Sequence, residues 1–255
     1  MQFPKLVPAG TSYVKIPMSK RAAMRVLLET VQRGCRFWCA GRVHPEKALG
    51  FAEKMAKLYQ ADASAAQRAY AKRLGRANTT VLMFPENAES ILWWLLVTPG
   101  DGLVFEREKL QDAHEKRSRL TWQDQYELVH EQRPRNQGGG RHWTWRLTSQ
   151  RYAQLDAAMR ELAAAHGGQD RRDDLDALVQ ALMRMPGFHG VRAQIIELLQ
   201  IGRVAWARTH RKSDTYPWPE RVPYLDKGFA CYHSPEPLRL DGLVRLLRVE
   251  AAGLT

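Results

Sequence analysis

Arginine, histidine, glycine and tryptophan crowd one short stretch of this 255-residue chain. Arg133-Pro134-Arg135 is followed by Gly138-Gly139-Gly140, then Arg141, His142, Trp143 and Trp145. Guanidinium forks hold phosphate oxygens in pairs, glycines let a backbone approach a phosphate, and indole rings stack on unpaired bases. Trp143 and Trp145 share one strand face, which suits a core at least as well as a base platform. Three further basic groups carry the same chemistry. Lys20, Arg21 and Arg25 open a helical stretch that Arg33 and Arg36 follow. Arg68, Lys72 and Arg76 form an i, i+4 ladder, where like charges cost a few tenths of a kcal/mol per pair. Such a ladder points to a polyanion outside the helix or to a solvated face. Arg192 and Arg203 stand about three turns apart on a later helical stretch, ahead of Arg208, His210, Arg211 and Lys212.

The signatures of common enzymes do not occur. There is no phosphate-binding Walker loop, and the glycine triplet is neither G-x-G-x-x-G nor set between a strand and a helix. H-E-x-x-H, G-x-S-x-G and the kinase set are missing as well. Asp101, Glu106, Glu108 and Asp112 make a loose acidic group that reads as a solvated loop before it reads as a metal site. Cys35, Cys39 and Cys231 are an odd set with no pairing pattern, as expected of reduced thiols. A zinc site from Cys35, Cys39 and His44 can be drawn, but it lacks a C-x-x-C pair and a second half. Neither a metal nor a cofactor is expected.

These residues need elements to hold them. Ser12–Pro17 reads as a short strand, and Ser19 as the N-cap of a helix with Met24, Leu27, Leu28 and Val31 on one face, ended by Gly34. Phe37–Val43 reads as the next strand, giving a β-α-β opening. Pro45 starts a helix whose stripe is Ala48, Phe51, Ala52, Met55, Leu58 and Tyr59, and a second helix runs from Asp62 to about Leu74. Strands are expected at Thr80–Phe84 and Ile91–Val97, the latter central because its apolar run is unbroken. Tyr126–His130 and Trp143–Leu147 alternate as antiparallel strands, and Ser149 reads as the cap of a helix after them. Past a polar linker at 166–172 come helices at about 174–185 and 191–208, a proline-rich irregular stretch at 216–223 and a short helix near Leu240. The expected organisation is α+β: a domain over 1–165 with a helical hairpin inserted at about 45–77, and a mostly helical region over 166–255.

The chain carries 39 Lys and Arg against 27 Asp and Glu, a net charge of +12. Such an excess repels itself in the folded state and attracts polyanions through phosphate neutralisation and counterion release. Hydrophobic residues make up 44% of the chain, as in a globular protein. The longest apolar run, Ile91–Val97, is far short of the ~20 residues that span a bilayer. No apolar leader opens the sequence, so a cytoplasmic location and no membrane partner are expected.

The β-α-β opening, the later antiparallel strands, the basic glycine-rich hairpin and the charge together resemble the RAMP-type proteins of CRISPR systems. Over residues 12–165 the pattern looks similar to the crRNA-processing endonucleases of type IV systems. The resemblance implies a ferredoxin-like antiparallel sheet, with the helical insertion at 45–77 as a finger around the RNA. It also implies metal-independent cleavage of a repeat stem-loop by attack of the 2′-hydroxyl, within an antiviral defence ribonucleoprotein that has other subunits. Related nucleases often use a histidine near the first helix as the base; here that region holds only Lys20, Arg21, Arg25 and Arg36. Arg21 and Arg36 would then position the scissile phosphate and stabilise its transition state, with His142, or His44, for proton transfer. Arginine is a poor base because it stays protonated. RNA contacts are expected from Lys20, Arg25, Arg68, Lys72, Arg76, Arg133, Arg135, Arg141, Arg192 and Arg203. Two other readings remain open: a non-catalytic DNA-binding accessory or regulatory protein of a mobile element, with the 191–208 helix as groove reader, and an RNA-binding subunit that does not cut.

Overall fold

The computed structural model describes residues 13–132, 139–165, 169–224, 230–234 and 236–251. The chain forms two compact units, Met1–Leu120 with Phe229–Thr255, and Thr121–Gly228. This division differs from the one expected at 165/166: the helices on either side of that point pack together in the second unit.

In the first unit, α1 (Lys20–Gln32) starts as expected at Ser19, whose side chain accepts a hydrogen bond from the Ala22 amide, and buries Met24, Leu27 and Val31. Gly34 follows with φ +110°, a left-handed value that glycine adopts without strain. Next come β1 (Phe37–Val43), α2 (Pro45–Tyr59), α3 (Ala65–Arg73), β2 (Thr79–Asn87), β3 (Ser90–Val97), the single turn α4 (Val104–Arg107) and the two-residue β4 (Gln111–Asp112). The sheet order is β2-β3-β1-β4, with every neighbouring pair antiparallel. Counting from β1, this is the strand order of a ferredoxin-like sheet, with α2 and α3 filling the first crossover and α4 the second.

The strand expected at 12–17 is not part of that sheet. Within it only Lys15 pairs, as an isolated bridge with Arg239. The ferredoxin-like repeat therefore begins at Phe37, with α1 ahead of it. Alternation around Val14 and Ile16 reflects something else: both are buried in the core beside α8 (Leu240–Ala251), the helix with which the chain returns to this unit. Ile16 donates to the Leu238 carbonyl and Leu240 to that of Val14.

β3 is central, and its odd and even residues are both buried: Ile91, Leu95 and Val97 join the core with Ala48, Ala52 and Met55 of α2, while Leu92, Trp94 and Leu96 lie on the opposite strand face. Pro85 is tolerated because β2 is an edge strand, where its missing N–H removes no ladder bond. The two helices expected at 45–77 are present, but they differ in setting. α2 buries Pro45, Ala48, Ala52, Met55 and Tyr59, whereas no residue of α3 is buried.

The second unit begins with β5 (Thr121–Trp122), β6 (Tyr126–Gln132) and β7 (Arg141–Leu147), an antiparallel sheet in the order β5-β6-β7. It continues with α5 (Ser149–Ala164), α6 (Gln169–Met183) and α7 (His189–Thr209). Thr148, not Ser149, caps α5, its hydroxyl accepting from the Arg151 amide. α7 packs on α5 and β7 so tightly that a Cβ on Gly190 would meet the Trp145 carbonyl at 2.6 Å. Trp145 is fully buried, as its strand-face position allowed, and Trp143 is half-buried, stacked on His130. Among the described residues, no helix is long and apolar enough to cross a membrane.

Candidate nucleic-acid interface

α3 has no apolar stripe to bury, so burial does not fasten it. Polar contacts do. Ser64 and Gln67 form a reciprocal capping box: the Gln67 amide donates to the Ser64 hydroxyl at 3.3 Å, and the Ser64 amide to Gln67 Oε1 at 2.8 Å. One turn on, the Arg68 guanidinium donates to the carbonyls of Ala63 (2.9 Å), Ala61 (2.9 Å) and Thr79 (2.7 Å) and to the Thr80 hydroxyl (3.0 Å). Asn78 Nδ2 donates back to the Arg68 carbonyl at 3.1 Å. The end of α3 is clasped to the 98–102 turn: Ala77 donates to Asp101 O and Asp101 to Gly75 O, both at 2.9 Å.

So fixed, α3 presents Tyr70, Lys72, Arg73, Leu74 and, past Gly75, Arg76 to solvent. Tyr70 is 63% exposed and Leu74 48%. Lys72, Arg73 and Arg76 form no ion pair among the described residues. Lys47, Lys54 and Lys57 on α2 are likewise exposed and, among the described residues, without a carboxylate partner. Uncompensated cations beside an exposed phenol are what a nucleic-acid strand engages, phosphates on the charges and a base on the ring.

Several of the other expected contacts are engaged within the protein. Arg25 and Arg33 both pair with Glu29, at 3.0 and 3.4 Å. Arg36 donates its Nε to Asp112 at 2.8 Å, and this guanidinium holds the Asp112 carboxyl below the usual carboxylate range. Arg21 lies in the first turn of α1 and Arg36 beyond its last, with about 16 Å of helix between Arg21 and Gln32 at 1.5 Å per residue. Lys20 is half-buried in the same first turn. Arg68, expected on the RNA, spends its donors on the staple just described. His44 caps α2, its Nδ1 accepting from the Glu46 amide.

In the second unit Arg141 donates to the His130 carbonyl at 3.2 Å, and the half-buried His142 ring meets His189 edge-on at 5.1 Å. Arg192 donates twice to Val222 O, at 3.1 and 3.0 Å, and lies over the Tyr224 ring; Arg203 donates to Pro219 O at 2.8 Å. These two arginines pin the proline-rich stretch to α7, which packs on α5 and β7 and keeps Ile196, Val204 and Arg208 exposed. Arg133 and Arg135 fall outside the described residues.

The loose acidic group is dispersed: Glu108 accepts from the Tyr59 hydroxyl at 2.6 Å, Asp112 holds Arg36, and Asp101 clasps the α3 turn. Burial pushes the Cys35 thiol to about 11 and Cys39 to about 12, so neither is a thiolate nucleophile near neutral pH. The sequence reading passed over Tyr70 and Arg73; the available signal was a capped helix with an aromatic residue but no apolar stripe around it.

The chain matches no family model, and neither a curated protein nor a solved structure matches it with significance.

Proposed function

We propose that the protein binds RNA through the outer surface of its first unit, with α3 and the turn after it as the principal contact. The observation that carries this reading is the division of the cations: Arg25, Arg33, Arg36, Arg192 and Arg203 are held by carboxylates or carbonyls, while Lys72, Arg73 and Arg76 are exposed, without an ion pair among the described residues, on the same segment as the exposed Tyr70. Charge distribution supports it. The first unit carries 23 Lys and Arg against 14 Asp and Glu, the second 16 against 13, so nine of the twelve excess charges sit in the first. An exposed phenol favours unpaired bases, hence looped or single-stranded RNA over duplex DNA.

Cleavage of a CRISPR repeat stem-loop by 2′-hydroxyl attack is the sharper form of this proposal. Arg36, one of its two expected arginines, is held by Asp112, and binding is the better supported half. The test is a labelled stem-loop RNA, its loop sequence as single strand, and the duplex DNA equivalent, each incubated with protein in EDTA. We expect retention of both RNAs in preference to the duplex. Site-specific cutting that a 2′-deoxy substitution abolishes adds the nuclease step. Preference for duplex DNA overturns the proposal in favour of a DNA-binding accessory protein.

A further inference from the structure

A cleft in the first unit, outside the α3 surface, has the size and lining of a nucleobase site. Its volume is about 230 Å³, below the range of drug-sized pockets. Its apolar lining includes Val26, Val81 and Leu82, and its polar lining is Tyr13, Lys15, Asp62, Arg68, Thr80 and Tyr232. We infer that this cleft receives one unstacked base of a bound RNA strand, with the flanking phosphate on Lys15 and the base edge on Asp62. The inference rests on the RNA-binding reading and specifies it.

Each part of the lining has a use. Tyr13 is fixed by donating its hydroxyl to the Ala52 carbonyl at 2.9 Å, which leaves its ring as wall rather than as an edge contact. Tyr232 lies with the Lys15 ammonium 5.8 Å from its ring centre, so the cation is already held at the rim where a phosphate would pass. Two phenol rings and aliphatic lining suit a flat, apolar-faced group, and base–aromatic stacks accept any base. Arg68 adds positive field but few free donors, since three carbonyls and the Thr80 hydroxyl occupy its guanidinium. Lys72 stands four residues, about 6 Å along the axis, beyond Arg68 on the same side of α3, which provides a cation for the next phosphate.

Discrimination follows from Asp62. An ionised carboxylate only accepts hydrogen bonds. Adenine, cytosine and guanine each carry an exocyclic amine to donate, whereas uracil places carbonyl oxygens on either side of its single N–H. The cleft therefore takes an amino-bearing base and disfavours uracil. A peptide ligand would not supply the phosphate for which Lys15 is placed.

The experiment measures binding of short homopolymers of A, C and U at one ionic strength, with the intact protein and with Asp62→Asn, Lys15→Gln and Tyr232→Leu. We expect the A and C strands to bind tighter than U by about 5- to 100-fold, the range of one good base-edge contact. Asp62→Asn, at an exposed position, should bring the three affinities together, chiefly by raising that for U. Tyr232→Leu should weaken all three, with Lys15→Gln as a surface substitution that weakens binding without touching the apolar lining. Equal affinities for A, C and U in the wild type, unchanged in Asp62→Asn while binding stays salt-dependent, overturn the base site and leave the α3 surface standing. Failure of every RNA to bind overturns both.

Discussion

A guanidinium has five N–H donors and no acceptor, and the arginines of this chain differ chiefly in where those donors go. Arg68 shows the consequence best. Its side chain donates to three carbonyls, and it fastens a helix that lacks an apolar stripe. Removing it leaves partly buried acceptors without a donor, at about 1–3 kcal/mol. Arg68→Gln is therefore expected to lower the thermal midpoint of the first unit by several degrees. Arg68→Lys should not restore it, because a point charge cannot occupy four acceptors in the plane of a fork. Lys72→Gln and Arg76→Gln, both at exposed positions, should leave the midpoint unchanged. Thermal melts of the four variants check this directly. The i, i+4 spacing that groups Arg68 with Lys72 and Arg76 in the sequence thus joins residues of different kinds, one structural and two available for a ligand. Nothing within the ladder distinguishes them, because the acceptors Thr79 and Thr80 belong to the next strand.

At the scale of elements, the turn after β3 is what holds the end of α3 in place. Gly100 adopts φ +138°, and a Cβ there would meet Ala77 N and Gly75 O at 2.6 Å and Arg76 C at 2.7 Å. All three are backbone atoms, so neither a rotamer nor a small shift relieves the clash. Gly100→Ala is expected to destabilise the first unit by about 2–4 kcal/mol, combining a forbidden backbone angle with overpacking. It should also displace Arg76 and weaken RNA binding, which separates it from a substitution that merely loosens the core; melting and binding on the same samples test both. Elements with strong local signals were legible in the sequence. α2 has a proline at its first position and a full stripe, β3 has an unbroken apolar run, and β6 and β7 alternate across their hairpin. Elements that exist only through their partners were not. β4 is two residues long and pairs with Phe37 and Trp38, and α4 is a single turn. The opening segment alternates like a strand, but its packing partners are Leu238 and Leu240, more than two hundred residues away. The candidate site was half legible for the same reason. Charge, the α3 ladder and the capping residues are local, whereas the engagement of Arg36 by Asp112, or of Arg203 by the Pro219 carbonyl, is decided by tertiary folding.

For the whole molecule the relevant quantity is how the excess charge is shared between the two units. Binding to a polyanion releases one condensed counterion per phosphate neutralised, so the salt dependence of affinity counts contacts rather than total charge. If the +12 acted as a diffuse field, removing three cations anywhere would have the same effect. The structure argues otherwise. Lys72, Arg73 and Arg76 lie on a stapled helix and the turn after it, in the unit that carries most of the excess, while Arg208 sits in the last turn of α7 and Arg211 and Lys212 follow it, in the unit that is nearly balanced. For a single-stranded RNA each phosphate contact contributes a slope of about −0.7 to log K against log salt. Changing Lys72, Arg73 and Arg76 together to glutamine should flatten that slope by about 2. The matching triple change at Arg208, Arg211 and Lys212 removes the same formal charge and should leave the slope nearly unaltered. Affinity titrations of both variants across a salt series decide the matter. Equal flattening in the two would show that the charge acts at long range and that α3 is not the contact.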